Sequence, residues 1–288
     1  MGSDEGVSVV VSVVLLLGLL VAVTTIIHAT YVPDWRKSVE ESHMDEILED
    51  LAEFKSKIDL IAAVSPQEEY TISQSVMLGG GSIPVISPTK SSGTLRTDLL
   101  LPDLYIIADN YTVAYAFPAL GTIELEMDNF YAMDRIFAYE NGALILKEIN
   151  RSNMALAPGI TLRKLENGTK VLTVQIIDMD LESESIGSSG VEEISFTYTS
   201  SRTCFSNITK NVNIMITSNY PDAWKTFFID RAKDAGLNAS EFCVNESQNV
   251  ELDIYGNVTL TVIEVDGKAR IRPVIEAIEP TYGSGESG

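Results

Sequence analysis

Between Val7 and Thr30 the chain reads VSVVVSVVLLLGLLVAVTTIIHAT, twenty-four residues without an Asp, Glu, Lys or Arg. As an α-helix at about 1.5 Å per residue this run spans about 36 Å, enough to cross a hydrocarbon layer of about 30 Å with some tilt. It is apolar on every side and so has no polar face to lay on a membrane surface. It is longer than the apolar core of a secretory signal, no small-residue cleavage site follows it, and no basic stretch precedes it. The expectation is a retained membrane helix over 7–30, after a short leader at 1–6.

Pro33 follows at once and either kinks a continuous helix or ends the first one. Tyr31 and Trp35 flank it, as in the aromatic belt of a membrane interface. From about Asp34 to Val64, Met44, Ile47, Leu51, Phe54, Ile58 and Ile61 recur at alternating spacings of three and four. That is the stripe of an amphipathic helix, with Glu40, Glu41, Asp45, Glu46, Glu49, Asp50, Glu53, Lys55 and Lys57 on its other faces. The segment 31–64 is therefore a juxtamembrane helix. Its stripe packs either on the protein's own head or on neighbouring subunits.

The head, 65–280, begins with a Gly-, Pro- and Ser-rich loop from Leu78 to Thr94. Short apolar or alternating runs then follow between turn residues: 104–108, 112–117, 122–127, 135–139, 143–148, 170–177, 192–198, 211–217, 251–255, 258–265 and 269–274. Asn141-Gly142 and Asn167-Gly168 read as two-residue hairpin turns. One helix, Pro221 to Ala235, interrupts the runs, with Ser218 or Asn219 as cap and Gly236 as stop. The fold class is mainly β: an antiparallel sandwich-like head carried on a transmembrane and juxtamembrane helix, with one helix inserted. The Gly/Ser-rich 281–288 reads as a disordered tail.

Acids outnumber bases 41 to 20, a formal charge of -21, which repels a phosphate backbone and excludes nucleic acid as a partner. Asp4 and Glu5 before the span with Arg36 and Lys37 after it argue for a cytoplasmic head. Seven of the 14 asparagines argue the other way: Asn110, Asn150, Asn167, Asn207, Asn238, Asn245 and Asn257 each start an N-x-Ser/Thr triplet. Chance gives about three, and glycosylation of such triplets belongs to exported surfaces. Cys204 and Cys243 fit one structural disulfide closing a loop of roughly 40 residues, worth about 3–4 kcal/mol, with two free thiols as the alternative. Sequons and cysteines together place the head outside.

Little in the chain points to catalysis or to a cofactor. The two histidines, His28 and His43, lie in the span and on the juxtamembrane helix, so a head without histidine has no Ser-His-Asp site and no His-bound metal. Asp178, Asp180, Glu182 and Glu184 alternate, and on one strand all four carboxylates face one side. Such a row is either a weak Ca²⁺ site or the strand's solvent face. Tyr105, Tyr111 and Tyr115 are candidates for an aromatic groove that binds glycans or an envelope protein, the ligand being unknown.

The order of apolar helix, amphipathic continuation and β head resembles archaeal type IV pilin-like proteins. Asp4-Glu5-Gly6 before Val7-Ser8-Val9-Val10 is similar to their prepilin start. The resemblance extends to pilin-like surface proteins of methanogens and halophiles through 78–84 with 91–95, 120–122, 128–131, 139–146 and Tyr220-Pro221-Asp222-Ala223-Trp224. It implies processing between Gly6 and Val7, and a structural subunit whose N-terminal helices pack with those of other pilin-like subunits. Two features usual in that family, a basic residue before the cleavage site and a Glu near the mature start, have no counterpart here.

Overall fold

The computed structural model describes residues 4–80, 90–98, 102–109 and 113–274. Residues 1–3 of the expected leader, Asn110, Tyr111, the loop 81–89 and the tail 281–288 lie outside them.

A single helical rod opens the chain. Helix α1 (Asp4–Ile26) passes through one π-turn (Ile27–Tyr31) into α2 (Val32–Val64). The helix already includes residues 4–6, so the Gly6–Val7 junction lies inside a continuous turn. Pro33 neither ends nor breaks the rod. A proline has no N–H to give and its ring crowds the carbonyl four residues back. Widening one turn to the π spacing just before it relieves both conflicts. The apolar part is long and apolar enough to cross a membrane, and none of it is buried against the head.

The head contains β1 (Tyr70–Met77), β2 (Ser92–Asp98), β3 (Asp103–Ala108), β4 (Val113–Phe117), β5 (Thr122–Asp128), β6 (Arg135–Glu140), β7 (Ala143–Glu148), β8 (Arg151–Leu156), β9 (Ile160–Lys164), β10 (Lys170–Asp180), β11 (Ser185–Ser188), β12 (Val191–Thr217), helix α3 (Pro221–Asp234), β13 (Phe242–Glu246) and β14 (Val250–Pro273). One sheet runs β4-β3-β12-β14-β10-β9, with β1 beside the first half of β12 and β13 beside the first half of β14. The other is antiparallel throughout, in the order β11-β2-β5-β6-β7-β8. Among the described residues the large sheet departs from a purely antiparallel pattern at one place, the parallel pair β10/β14.

Strands β12 and β14, of 27 and 24 residues, pair along nearly their whole length and tie two cores together. In the first core α2 lays Met44, Ile47, Leu51, Phe54, Ile58 and Ile61 against Leu95, Leu125, Phe137, Tyr139, Ile194 and Phe196. Every member of the predicted stripe is buried, and it packs on the protein's own sheets. At roughly 1.5–3 kcal/mol for each fully buried large apolar side chain, this seam is a major part of what holds the head together. In the second core α3 buries Trp224, Phe227 and Phe228 against β3, β10, β12 and β14. The small sheet lies between the two. Because side chains alternate, β6 gives Phe137 and Tyr139 to the α2 core and Ala138 to the α3 core.

Local chemistry explains the junctions. Asn141 and Gly142 take positive φ values of 46° and 75°, the two left-handed residues of the expected hairpin turn. The Asn167-Gly168 turn is different. Only Gly168 is left-handed, and its N–H bonds to the Leu165 carbonyl at 2.9 Å, giving a three-residue turn. Helix α3 is not capped by Ser218 or Asn219. The hydroxyl of Ser152, from β8, accepts the Ala223 N–H at 3.2 Å instead. Its end is as predicted: Gly236 is left-handed and Leu237 N–H reaches back to the Ala232 carbonyl at 3.1 Å. Gly80 is required by contact, since a Cβ there would lie 2.2 Å from the His43 ring.

Phe54 is fully buried, with its ring edge-on to Tyr139 at 5.6 Å. Phe54→Ala is expected to destabilise the head by about 3–5 kcal/mol. Urea unfolding of the detergent-solubilised chain, followed by the fluorescence of buried Trp224, measures this.

Candidate functional site

The acid row of the sequence does not form. Strand β10 ends at Asp180, and residues 182–184 turn away, held by Thr97, whose hydroxyl donates to the Glu182 carbonyl and accepts the Glu184 N–H. Asp180, Glu182 and Glu184 are exposed. Of the four residues only Asp178 joins a cluster.

Its partners come from β14. The parallel register sets Asp178 beside Asp266, and Glu264 lies two residues back on the same face. Carboxylate oxygens of the three lie within 4.8 Å of one another. Strand β12 supplies the rest: Arg202 Nε donates to Glu264 at 2.6 Å, the Cys204 thiol donates to the same oxygen at 3.2 Å, and Ser200 donates to Asp266 at 2.7 Å. Burial opposes ionisation of Glu264, but the hydrogen bonds from Arg202 and Cys204 outweigh it and hold its pKa down. Among the described residues Asp178 has no such donors. Burial first, and then Asp266, Glu264 and Asp180, push it up to about 6. The cluster thus settles its charge with one arginine and a proton held on Asp178 in mildly acidic solution. A hard cation would find three carboxylates here, but would have to displace Arg202 from Glu264.

A second group of acids is buried between the small sheet and α3. Glu140 ends β6 facing the α3 core and accepts the Trp224 indole N–H at 2.6 Å. Beside it Tyr220 donates its hydroxyl to Glu124 at 2.5 Å. Burial pushes the Glu140 carboxyl up to about 7, and Glu124 adds to the shift. This pair fastens α3 to the sheet. A third acid, Glu40 on α2, accepts the backbone N–H groups of Tyr131 and Ala132 at 2.8 and 2.7 Å and fastens the β5–β6 turn to the helix.

The remaining sequence-derived positions resolve separately. Cys204 and Cys243 are free. Cys204 sits in β12 opposite 262–263 of β14, whereas Cys243 in β13 faces Asp253. About ten residues of strand separate them, on the order of 30 Å. A disulfide needs Cα atoms closer than about 7 Å, so the expected bridge is corrected to two thiols. Tyr105 and Tyr115 do not share a groove. Tyr115 lies opposite Ile106 on the core side of the sheet, 5.8 Å from Phe205, while Tyr105 is on the other face. The six described sequon asparagines, Asn150, Asn167, Asn207, Asn238, Asn245 and Asn257, are all exposed.

The sequence matches the profile of a family of unknown function (DUF7289) over residues 5–269. No curated protein matches the chain, and no solved structure does.

Two outcomes follow from the site geometry. Without reductant, a maleimide reagent is expected to label both cysteines. In the folded protein Cys243 reacts before Cys204, whose thiol is pushed up to about 11 by burial and by Glu264. Labelling that requires reductant would restore the disulfide. The second outcome concerns Glu140. With a folded pKa of about 7 against an ordinary value near 4.3, it keeps a proton that the unfolded chain has released. Stability should therefore fall as pH rises from about 4.5 to about 7, by at most about 1.4 kcal/mol per pH unit, and level off above. In denaturation series across this range, Glu140→Gln is expected to remove the slope between about pH 6 and 7 and to reduce it below, where Asp178, pushed up to about 6, adds its own loss of stability with rising pH.

Proposed function

The chain belongs to the DUF7289 family, and we propose that it is a membrane-anchored surface protein of pilin-like layout, non-enzymatic, with its head outside the cell. One observation carries the reading. The apolar helix and the helix whose stripe packs into the head are one rod, α1 through α2, with the π-turn as its only irregularity among the described residues. A flexible tether would hold a catalytic head near a membrane equally well. A continuous rod fixes the head's distance and direction instead, which suits a structural subunit. The exposure of every described sequon asparagine supports an exported surface. Arg36, which by charge argued for a cytoplasmic head, is buried between the α2 rod and the aromatic rings of the β5–β6 turn. Its place is accounted for by packing, which weakens it as a topology signal.

In a filament, the apolar helices would bury one another once out of the bilayer, leaving the heads as the coat. The test is fractionation of native cells after shearing. The expected result is recovery of the chain in surface filaments, with an N-terminus at Val7 and a mass reduced by deglycosylation. Retention entirely in the membrane fraction of piliated cells contradicts the filament part. Protection of the head from protease added to intact cells contradicts the surface location.

A further inference from the structure

Exposed aromatic and apolar side chains gather at the end of the head nearest the apolar helix. On the β5–β6 turn, 129–134, Phe130 is 62 %, Tyr131 44 % and Met133 52 % exposed. Tyr31 and Trp35, on the rod just before Arg36, are 53 % and 46 % exposed, with ring centroids 6.3 Å apart. The turn is not a loose tip. Glu40 accepts three successive backbone N–H groups from it, at 3.3 Å from Phe130, 2.8 Å from Tyr131 and 2.7 Å from Ala132. The Arg36 guanidinium lies 5.7 Å from the Phe130 ring and 5.3 Å from that of Tyr131. Asn129 adds contacts to the Met44 sulfur and the Met133 carbonyl.

These bonds fix the height of the turn. Its backbone is held at Glu40, ten residues or about 15 Å along the rod beyond Thr30, the end of the apolar run, and its rings reach down to Arg36, six residues or about 9 Å beyond it. The polar zone of a bilayer extends about 5–7 Å beyond each side of its hydrocarbon core, and side chains on a helix lean toward its N-terminus, here toward the lipid. The Phe130 and Tyr131 rings, which lie against the Arg36 guanidinium, therefore stand near the depth of Trp35, and Met133 shares their turn beside Lys37, Glu41 and Met44. Tyr and Trp with an apolar body and a polar tip are the side chains that such a zone favours.

We propose that the 129–134 turn is a second membrane contact, resting its aromatic side chains in the lipid headgroup zone beside Trp35. The inference rests on the reading that α1 spans a bilayer. Two points of contact, one through the span and one through a turn bolted to α2, set the tilt of the rod and stop the head from swivelling about it. Lipid is the occupant because Arg36, which holds the rings of the turn, follows directly on the apolar run and on the exposed Tyr31 and Trp35.

The test uses the full-length chain in phosphatidylcholine nanodiscs, with Cys204→Ser and Cys243→Ser. Nitroxides are placed singly through Leu20→Cys, Met133→Cys and Tyr255→Cys. Tyr255 is an exposed residue of β14 beyond the α2 core. Power saturation by oxygen and by a nickel chelate reads depth. The expected result is oxygen accessibility at position 133 between that of 20 and 255, with loss of nickel accessibility relative to 255. Phe130→Ser with Tyr131→Ser should shift the label at 133 toward the values at 255. A label at 133 as nickel-accessible as at 255, with 20 in lipid, overturns the proposal and leaves the anchor standing. A label at 133 shielded from both reagents means that protein covers the turn, which also overturns it. Nickel access at position 20 removes the anchor reading and the proposal together.

Discussion

The seam between α2 and the sheets is the contact on which the rest of this structure depends. A helix with charged residues on most faces and one apolar stripe is not stable alone in water, because its nucleation is costly and its stripe is wet. Here the stripe from Met44 to Ile61 is closed by strands of both sheets, so helix and head complete each other. The same helix is continuous with a segment of the opposite character, apolar on every side and uncovered by the head. One rod therefore meets two solvents. The change falls within the few residues from the π-turn to Arg36, where Pro33, Trp35 and the Glu40-bound turn are also found. Head and span are coupled because no unstructured linker lies between them.

Buried acids make the other fastenings. Glu40 holds the β5–β6 turn on α2, and Glu140 holds Trp224 of α3 on the small sheet. A buried carboxyl is costly unless it is bonded or protonated, and these two use different remedies. Glu40 collects backbone N–H groups at the edge of the head. Glu140, in the α3 core, has its pKa pushed to about 7. Asp178 in the cluster with Asp266 and Glu264 follows Glu140's remedy, and Glu264 follows Glu40's by taking donors from Arg202 and Cys204.

Helices and most strand cores were legible in the sequence because burial on one face leaves a period. The 3–4 stripe of α2 and the alternation in β5 and β10 are such cases. What escaped has physical reasons. Residues 199–210 are polar enough to read as a loop, yet they continue β12 because β14 pairs with them, most of their side chains facing water while Cys204 and Phe205 pack against the α3 core and Thr209 is buried. Strands β1 and β2 carry Ser, Thr and Gln among their apolar residues, and only part of their length is buried. The carboxylate cluster joins residues 86 and 88 positions apart, set by a parallel register that local spacing does not encode. Glu140 did leave a signal: an acid closing the run Arg135-Ile-Phe-Ala-Tyr-Glu just before an Asn-Gly turn, on the face shared with Ala138. The cysteine pair misled because an even count says nothing about distance.

Hydrogen exchange of the full-length chain in nanodiscs tests the central claim, that the rod is a structural part of the head, most directly. If it is, amides from Met44 to Ile61 exchange only with those of β12 and β14, through global unfolding. Exchange of that segment at the rate of a free helix, with β12 and β14 still protected, would show a tether beside an independent head and contradict the account.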